Sequence, residues 1–236
     1  MARSGQRHFP YKHPTFGTKT RPNPVRAWQQ SVYYWWWAYL RRNESYLATC
    51  AASGRGRLGK VYADFGNVRD DDFKAWWGKR GVHLFAEPTA EDTVRVISDP
   101  SALVLDGSTL TISLPLGLPK RFLEKRIKNL LAEHHKGKRG HQLAKKSRAR
   151  YQVQGQPNIP ALKQGLAVYD HWKANPGMPL WRVGDTLHGF QMEHKLKPKD
   201  PAGIRANKKN VMAATVSRYL RRVKASIEAV GLGSFP

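Results

Sequence analysis

Apolar residues recur most regularly near the end of the chain. Over residues 207–230, Met212, Val216, Tyr219 or Leu220, Val223, Ile227 and Val230 follow three- and four-residue spacing, which predicts a helix with one buried stripe. Residues 27–51 predict a second helix. There Val32, Trp35, Trp36, Tyr39 and Leu40 share a face that Tyr46 and Leu47 continue, while Tyr33 and Trp37 form an i,i+4 line. Asn23-Pro24 supplies a helix start. Pro119 leads into a helix to about His135, with Leu123, Ile127, Leu130 and Leu131 as its expected buried stripe. Two further helices are expected over residues 160–174 and 180–190, separated by Asn175-Pro176-Gly177.

Alternation replaces this period over residues 93–114. Leu103-Val104-Leu105 and Leu110-Thr111-Ile112-Ser113-Leu114 flank Asp106-Gly107, a hairpin pattern because both turn residues tolerate positive φ. The expected class is therefore mainly α with a small central β-hairpin (α+β) packed on the helices. Three parts follow: a basic flexible arm (1–26), an aromatic-cored helical and β-hairpin domain ending in a basic tract (27–150), and a C-terminal helical domain (151–236). The polar stretch 152–160 marks the last boundary.

Charge changes the picture most. The chain of 236 residues holds 41 Lys and Arg against 17 Asp and Glu, a formal net charge of +24. That much like charge repels itself unless a polyanion neutralises it, and nucleic acid does so with release of condensed counterions. The cations are also grouped. Glu44 is the only acid before Val61, residues 61–110 are mostly acidic, residues 111–150 are strongly basic, and residues 205–224 contain no acid. Several basic blocks around an acidic segment predict a binding face assembled from distant parts of the chain.

Candidate contacts follow from those blocks. Ser53-Gly54-Arg55-Gly56-Arg57-Leu58-Gly59-Lys60 alternates glycine with charge, so Arg55 and Arg57 are expected at phosphates. The tract holding Lys138, Arg139, Lys145, Lys146, Arg148 and Arg150 is expected to clamp the backbone. In the last helix Lys208, Lys209, Asn210, Ser217, Arg218, Arg221 and Arg222 complement the apolar stripe. Arginine reaches guanine acceptors, asparagine pairs with adenine, and Thr215 or Ser217 reaches phosphate or base edges. With residues 180–190 as supporting helix, this part is a candidate helix-turn-helix, although its connection exceeds the usual three or four residues.

Other chemistry is weaker. Asp70-Asp71-Asp72 precede an apolar period, which suits a helix start, and clustered aspartates also suit a metal-dependent nuclease. His134, His135 and His141 lack completing ligands, and Cys50 is the lone cysteine, so neither a metal nor a cofactor is expected. Most of the indoles of Trp35, Trp36 and Trp37 belong in a core because they point in different directions. Beside Arg41 and Arg42 they also offer base-stacking faces or a protein interface. Residues 1–30 lack a signal-like apolar run and no stretch is long enough to span a bilayer, so no membrane partner and a cytoplasmic, nucleoid-associated location are expected.

The stretch Tyr34-Trp35-Trp36-Trp37-Ala38-Tyr39-Leu40-Arg41-Arg42-Asn43-Glu44-Ser45-Tyr46, with Trp76-Trp77-Gly78, Leu84-Phe85 and Glu87-Pro88 downstream, resembles an N-terminal module of proteobacterial transcriptional-regulator-like proteins encoded on integrative and other mobile elements. The resemblance covers residues 32–88 and implies DNA-linked regulation, with no catalytic residues to carry over. The spacer Lys79 to Leu84 is longer than in that pattern. The expected function is sequence-tolerant or regulatory DNA binding linked to a mobile element. An RNA-binding or ribonucleoprotein component is the first alternative and a metal-dependent nuclease the second.

Overall fold

A computed structural model describes residues 7–88, 96, 110–134 and 147–235. Its helices in chain order are α1 (Val25–Trp28), α2 (Val32–Leu40), α3 (Glu44–Ala51), α4 (Gly59–Phe65), α5 (Phe73–Trp76), α6 (Val82–Phe85), α7 (Lys120–His134), α8 (Ile159–Ala174), α9 (Leu180–Thr186) and α10 (Ala202–Gly231). A π-turn, Trp77–Gly81, joins α5 to α6, and a 3-10 turn, Met192–His194, lies between α9 and α10.

The single helix expected over residues 27–51 is three helices. Ser31 accepts a hydrogen bond from the Tyr33 amide (3.3 Å), and Asn43 accepts one from the Tyr46 amide (2.8 Å). Each side chain caps a new N-terminus and ends the preceding run. Asn23 does not start a helix. Its amide donates to Phe16 O (2.9 Å), and α1 begins after Pro24. Asp72 caps α5 by accepting from the Ala75 amide (2.8 Å), as its place before an apolar period implies.

Helix α2 is buried on every side except at Tyr34, so it is the axis of the core rather than one wall of it. Trp36 meets Phe85 at 5.0 Å and Phe235 at 5.5 Å between ring centroids, and Trp37 meets Phe73 at 5.3 Å. Trp35 Nε1 donates to Gln29 O (2.8 Å), whereas Trp36 Nε1 and Trp37 Nε1 are buried without a partner among the described residues. With Trp35, Trp36 and Trp37 at 5%, 0% and 2% exposure, the triplet presents neither a base-stacking face nor a protein interface.

The described part of the N-terminal arm lies on this core. Phe9 packs on Tyr33 and Trp77, Phe16 on Trp28 and Phe73, and His8 O accepts from the Glu87 amide (2.9 Å). The C-terminal helices close the other side. Tyr39 donates its hydroxyl to Leu162 O (3.0 Å), Asn43 Nδ2 donates to Ile227 O (2.6 Å), and Arg42 grips Asp170 with two hydrogen bonds (3.1 and 2.6 Å). Buried residues from both sides of position 151 form one continuous cluster, so the expected boundary there does not separate two cores. Gly184 lets α9 sit directly on α10: a Cβ there would lie 2.9 Å from Val216 Cγ2 and collide with the Met212 sulfur.

The expected β-hairpin is overturned. The described residues contain no β-strand, only two isolated bridges, Gly17 with Pro22 and Val153 with Phe235, and the class is all-α. The first arm and its Asp106-Gly107 turn lie outside the described residues. The second arm, residues 110–114, pairs with no other described residue, and Leu110, Ile112 and Leu114 are exposed. Alternation specifies a strand only where one face is buried against something, and these three side chains are not buried. In α7 the expected stripe is only partly covered: Leu123, Ile127 and Leu130 are half-buried, Leu131 is exposed, and no residue of the helix is fully buried.

Candidate nucleic-acid interface

The long helix α10 builds the main candidate surface. Its inner face buries Met212, Thr215, Val216, Leu220, Val223, Ile227 and Val230, which turns Asn210, Ser217, Arg218, Arg221 and Arg222 outward. Asn210, Ser217 and Arg221 are spaced i, i+7, i+11 and fall on one line, with Arg218 and Arg222 beside it. Ala214 and Ala225 are exposed between them, so the outer face is flat as well as cationic. The helix holds no acid before Glu228. Among the described residues, none of the ion pairs involves Arg218, Arg221 or Arg222; Arg218 touches only the Thr215 hydroxyl, at 3.4 Å. Thr215 itself is buried and takes no part in the outer face.

The Gly-Arg loop packs at the C-terminal end of α10. Leu58 is buried beside Gly231, at the C-terminal end of α10, where a Cβ on the glycine would lie 3.4 Å from Leu58 Cδ1. Arg55 and Arg57 are exposed on that loop, which turns through positive φ at Gly54 (92°) and Gly56 (131°). Cations are favoured near a helix C-terminus, whose carbonyls carry the negative end of the dipole.

Other candidates are spent on structure. Lys208 is largely buried; its ammonium donates to Asp200 Oδ2 (2.8 Å) and Lys195 O (3.1 Å) and pins the start of α10 to the preceding connection. This bond, with a second from the Lys197 amide, holds the Asp200 carboxyl below its usual range. Arg150 pairs with Asp64 at 2.6 Å, and the Tyr151 hydroxyl donates to the same carboxylate at 2.7 Å. The Arg148 amide donates to Glu87 Oε2 (2.8 Å), while its side chain is exposed. Lys138, Arg139, Lys145 and Lys146 lie outside the described residues.

Sequence reasoning missed two aromatic–cation pairs on this side of the molecule. Lys224 lies over the Trp172 ring at 4.2 Å and Lys209 over Trp181 at 4.5 Å, and both indoles are half-buried. Each pair joins α10 to a different helix, so no local spacing announces it. The connection between α9 and α10, residues 187–201, is fixed by Lys195 Nζ donating to Asp185 O and Leu187 O (2.5 and 2.7 Å) and by the Leu196 amide donating to Asp185 Oδ1 (2.8 Å).

The aspartate triplet does not converge. Asp72 caps α5 and Asp71 pairs with Arg41. Among the described residues no three His, Cys, Asp or Glu side chains are placed to hold a metal ion. Burial pushes the Cys50 thiol up and keeps it protonated at neutral pH. No described helix is long and apolar enough to cross a membrane. Comparison with protein-family models, curated proteins and solved structures returns no match.

Proposed function

We propose that this protein binds nucleic acid, with duplex DNA as its ligand, through the outer face of α10 and the Arg55–Arg57 loop at its end. The observation that carries this reading is the acid-free exposed side of α10 between Asn210 and Arg222, with Ser217, Arg218 and Arg221, on a helix whose opposite face is locked into the core. Arginines without carboxylate partners keep their full counterion atmosphere until a phosphate displaces it. In this reading α9 and α10 act as a helix-turn-helix with a lengthened connection, and the role is regulatory or accessory on a mobile element, as the resemblance of residues 32–88 implies. Fluorescence anisotropy with a labelled duplex tests it. Binding that weakens steeply with salt, and weakens further when Arg218, Arg221 and Arg222 are replaced by alanine, supports it. Affinity unchanged by that triple substitution refutes it.

A second reading, single-stranded RNA, is favoured by Trp172 under Lys224 and Trp181 under Lys209. A base stacking on either indole would release the lysine to a neighbouring phosphate. Competition between duplex DNA and single-stranded RNA at one salt concentration separates the two readings.

A further inference from the structure

Helix α7 is fifteen residues long and fully buries none of them, and Leu123, Ile127 and Leu130 are half-buried. A helix of that length is marginal in water unless its apolar face is covered. Leu123, Ile127, Leu130 and His134 recur at i, i+4, i+7 and i+11, a seam of coiled-coil type about three turns long. Leu110, Ile112, Leu114 and Leu116, which precede the helix, are exposed as well.

We propose that α7 is a self-association surface and pairs antiparallel with α7 of a second copy of this chain. Two features of charge select a copy of itself over another occupant. Arg121, Lys125 and Lys128 lie on the side of the helix opposite the seam, so two copies meet without opposing cations across it. One edge of the seam carries Arg126 and Glu133, seven residues apart and opposite in sign. In an antiparallel pair that layers Ile127 against Leu130 of the other copy, this edge runs against itself. Arg126 then faces Glu133 of the second copy, and the relation repeats by symmetry. Such a contact is self-complementary and closed, and it leaves both cationic backs outward.

The inference does not rest on nucleic-acid binding, and salt separates the two. Two chains of this charge repel, so added salt strengthens their association, whereas it weakens a contact with phosphate. Sedimentation velocity of the full chain, stripped of polynucleotide, gives the test over a dilution series. The expected result is a monomer–dimer equilibrium whose dimer fraction rises between about 0.1 M and about 0.5 M salt. Ile127→Asp weakens dimerisation about tenfold or more, while the thermal melt of the tryptophan core is unchanged. Arg126→Glu and Glu133→Arg each weaken it alone, and mixing the two single variants restores a dimer, because each then supplies the charge that the other needs. A monomer at every concentration and salt overturns the proposal. So does a dimer indifferent to Ile127→Asp, or a mixture of charge variants that stays monomeric. Binding of the monomer to anionic phosphatidylserine vesicles, abolished by Ile127→Asp, would assign the seam to a lipid surface and equally overturn it.

Discussion

The Asn43 side chain is shared between the two ends of the chain: its Oδ1 accepts from the Tyr46 amide at 2.8 Å, and its Nδ2 donates to Ile227 O at 2.6 Å. One amide therefore starts α3 and ties it to α10. Asn43→Ala removes a helix cap worth about 1 kcal/mol and the hydrogen bond to Ile227 O, worth about 0.5–1.5 kcal/mol. Asn43→Asp keeps the cap acceptor but sets a carboxylate against the Ile227 carbonyl. Urea denaturation is expected to show both variants destabilised, with Asp no better than Ala despite its capping ability.

Phe235 sits between Trp36 (5.5 Å) and Tyr39 (5.1 Å) and is 1% exposed. Phe235→Ala is expected to cost about 3–5 kcal/mol, the range for an aromatic removed from a packed core. Thermal melts followed by tryptophan fluorescence check this, because the lost ring borders an indole.

Gly184→Ala drives a Cβ into Met212 and Val216. Overpacking of this kind costs about 1–3 kcal/mol. Gly184→Ala with Met212→Ala should recover part of that loss, since the second change opens the space which the first one fills. Strict additivity in a double-mutant cycle would contradict the contact.

Burial raises the hydroxyl pKa of Tyr33, Tyr39, Tyr46 and Tyr151 above the ordinary value of 10.0. Their contribution to stability is whole below that value. Above it the unfolded chain ionises while the folded chain does not, so stability falls as pH rises. Absorbance of tyrosinate during an alkaline titration is expected to show these four groups ionising together with unfolding, not one by one beforehand.

For the cationic face, replacing Arg218, Arg221 and Arg222 by alanine should reduce the slope of log affinity against log salt by about one unit per lost phosphate contact. Lys208→Ala serves as the contrast. Its ammonium is committed to Asp200, so the variant is expected to lose thermal stability while its salt slope stays close to that of the parent.

What was legible in the sequence was legible for local reasons. The stripe of α10 follows from its period alone, and the Asp72 cap and the start of α8 near Pro160 are signals a few residues long. The splitting of residues 27–51 was misread because Ser31 and Asn43 are ordinary polar residues within an apolar period until the backbone amides beyond them need an acceptor. The hairpin failed and the α7 stripe is only half-buried at Leu123, Ile127 and Leu130, since a periodic pattern fixes which side is apolar and is silent on what covers it. In the candidate interface, exposure of Arg218, Arg221 and Arg222 followed from the helical wheel. The diversion of Lys208 and Arg150 into ion pairs did not, because Arg150 meets Asp64 only across the fold and Lys208 meets Asp200 only once the preceding turn closes.

The plug formed by Phe235 has a consequence for synthesis. The ribosome makes Trp36 and Tyr39 about 200 residues before the ring that seals them, so the emerging N-terminal segment carries a greasy, unfinished hollow until Phe235 is made and released from the tunnel. Chaperone occupancy of nascent chains should persist until that ring is free to fold back, and stalling before it should leave a species prone to clumping.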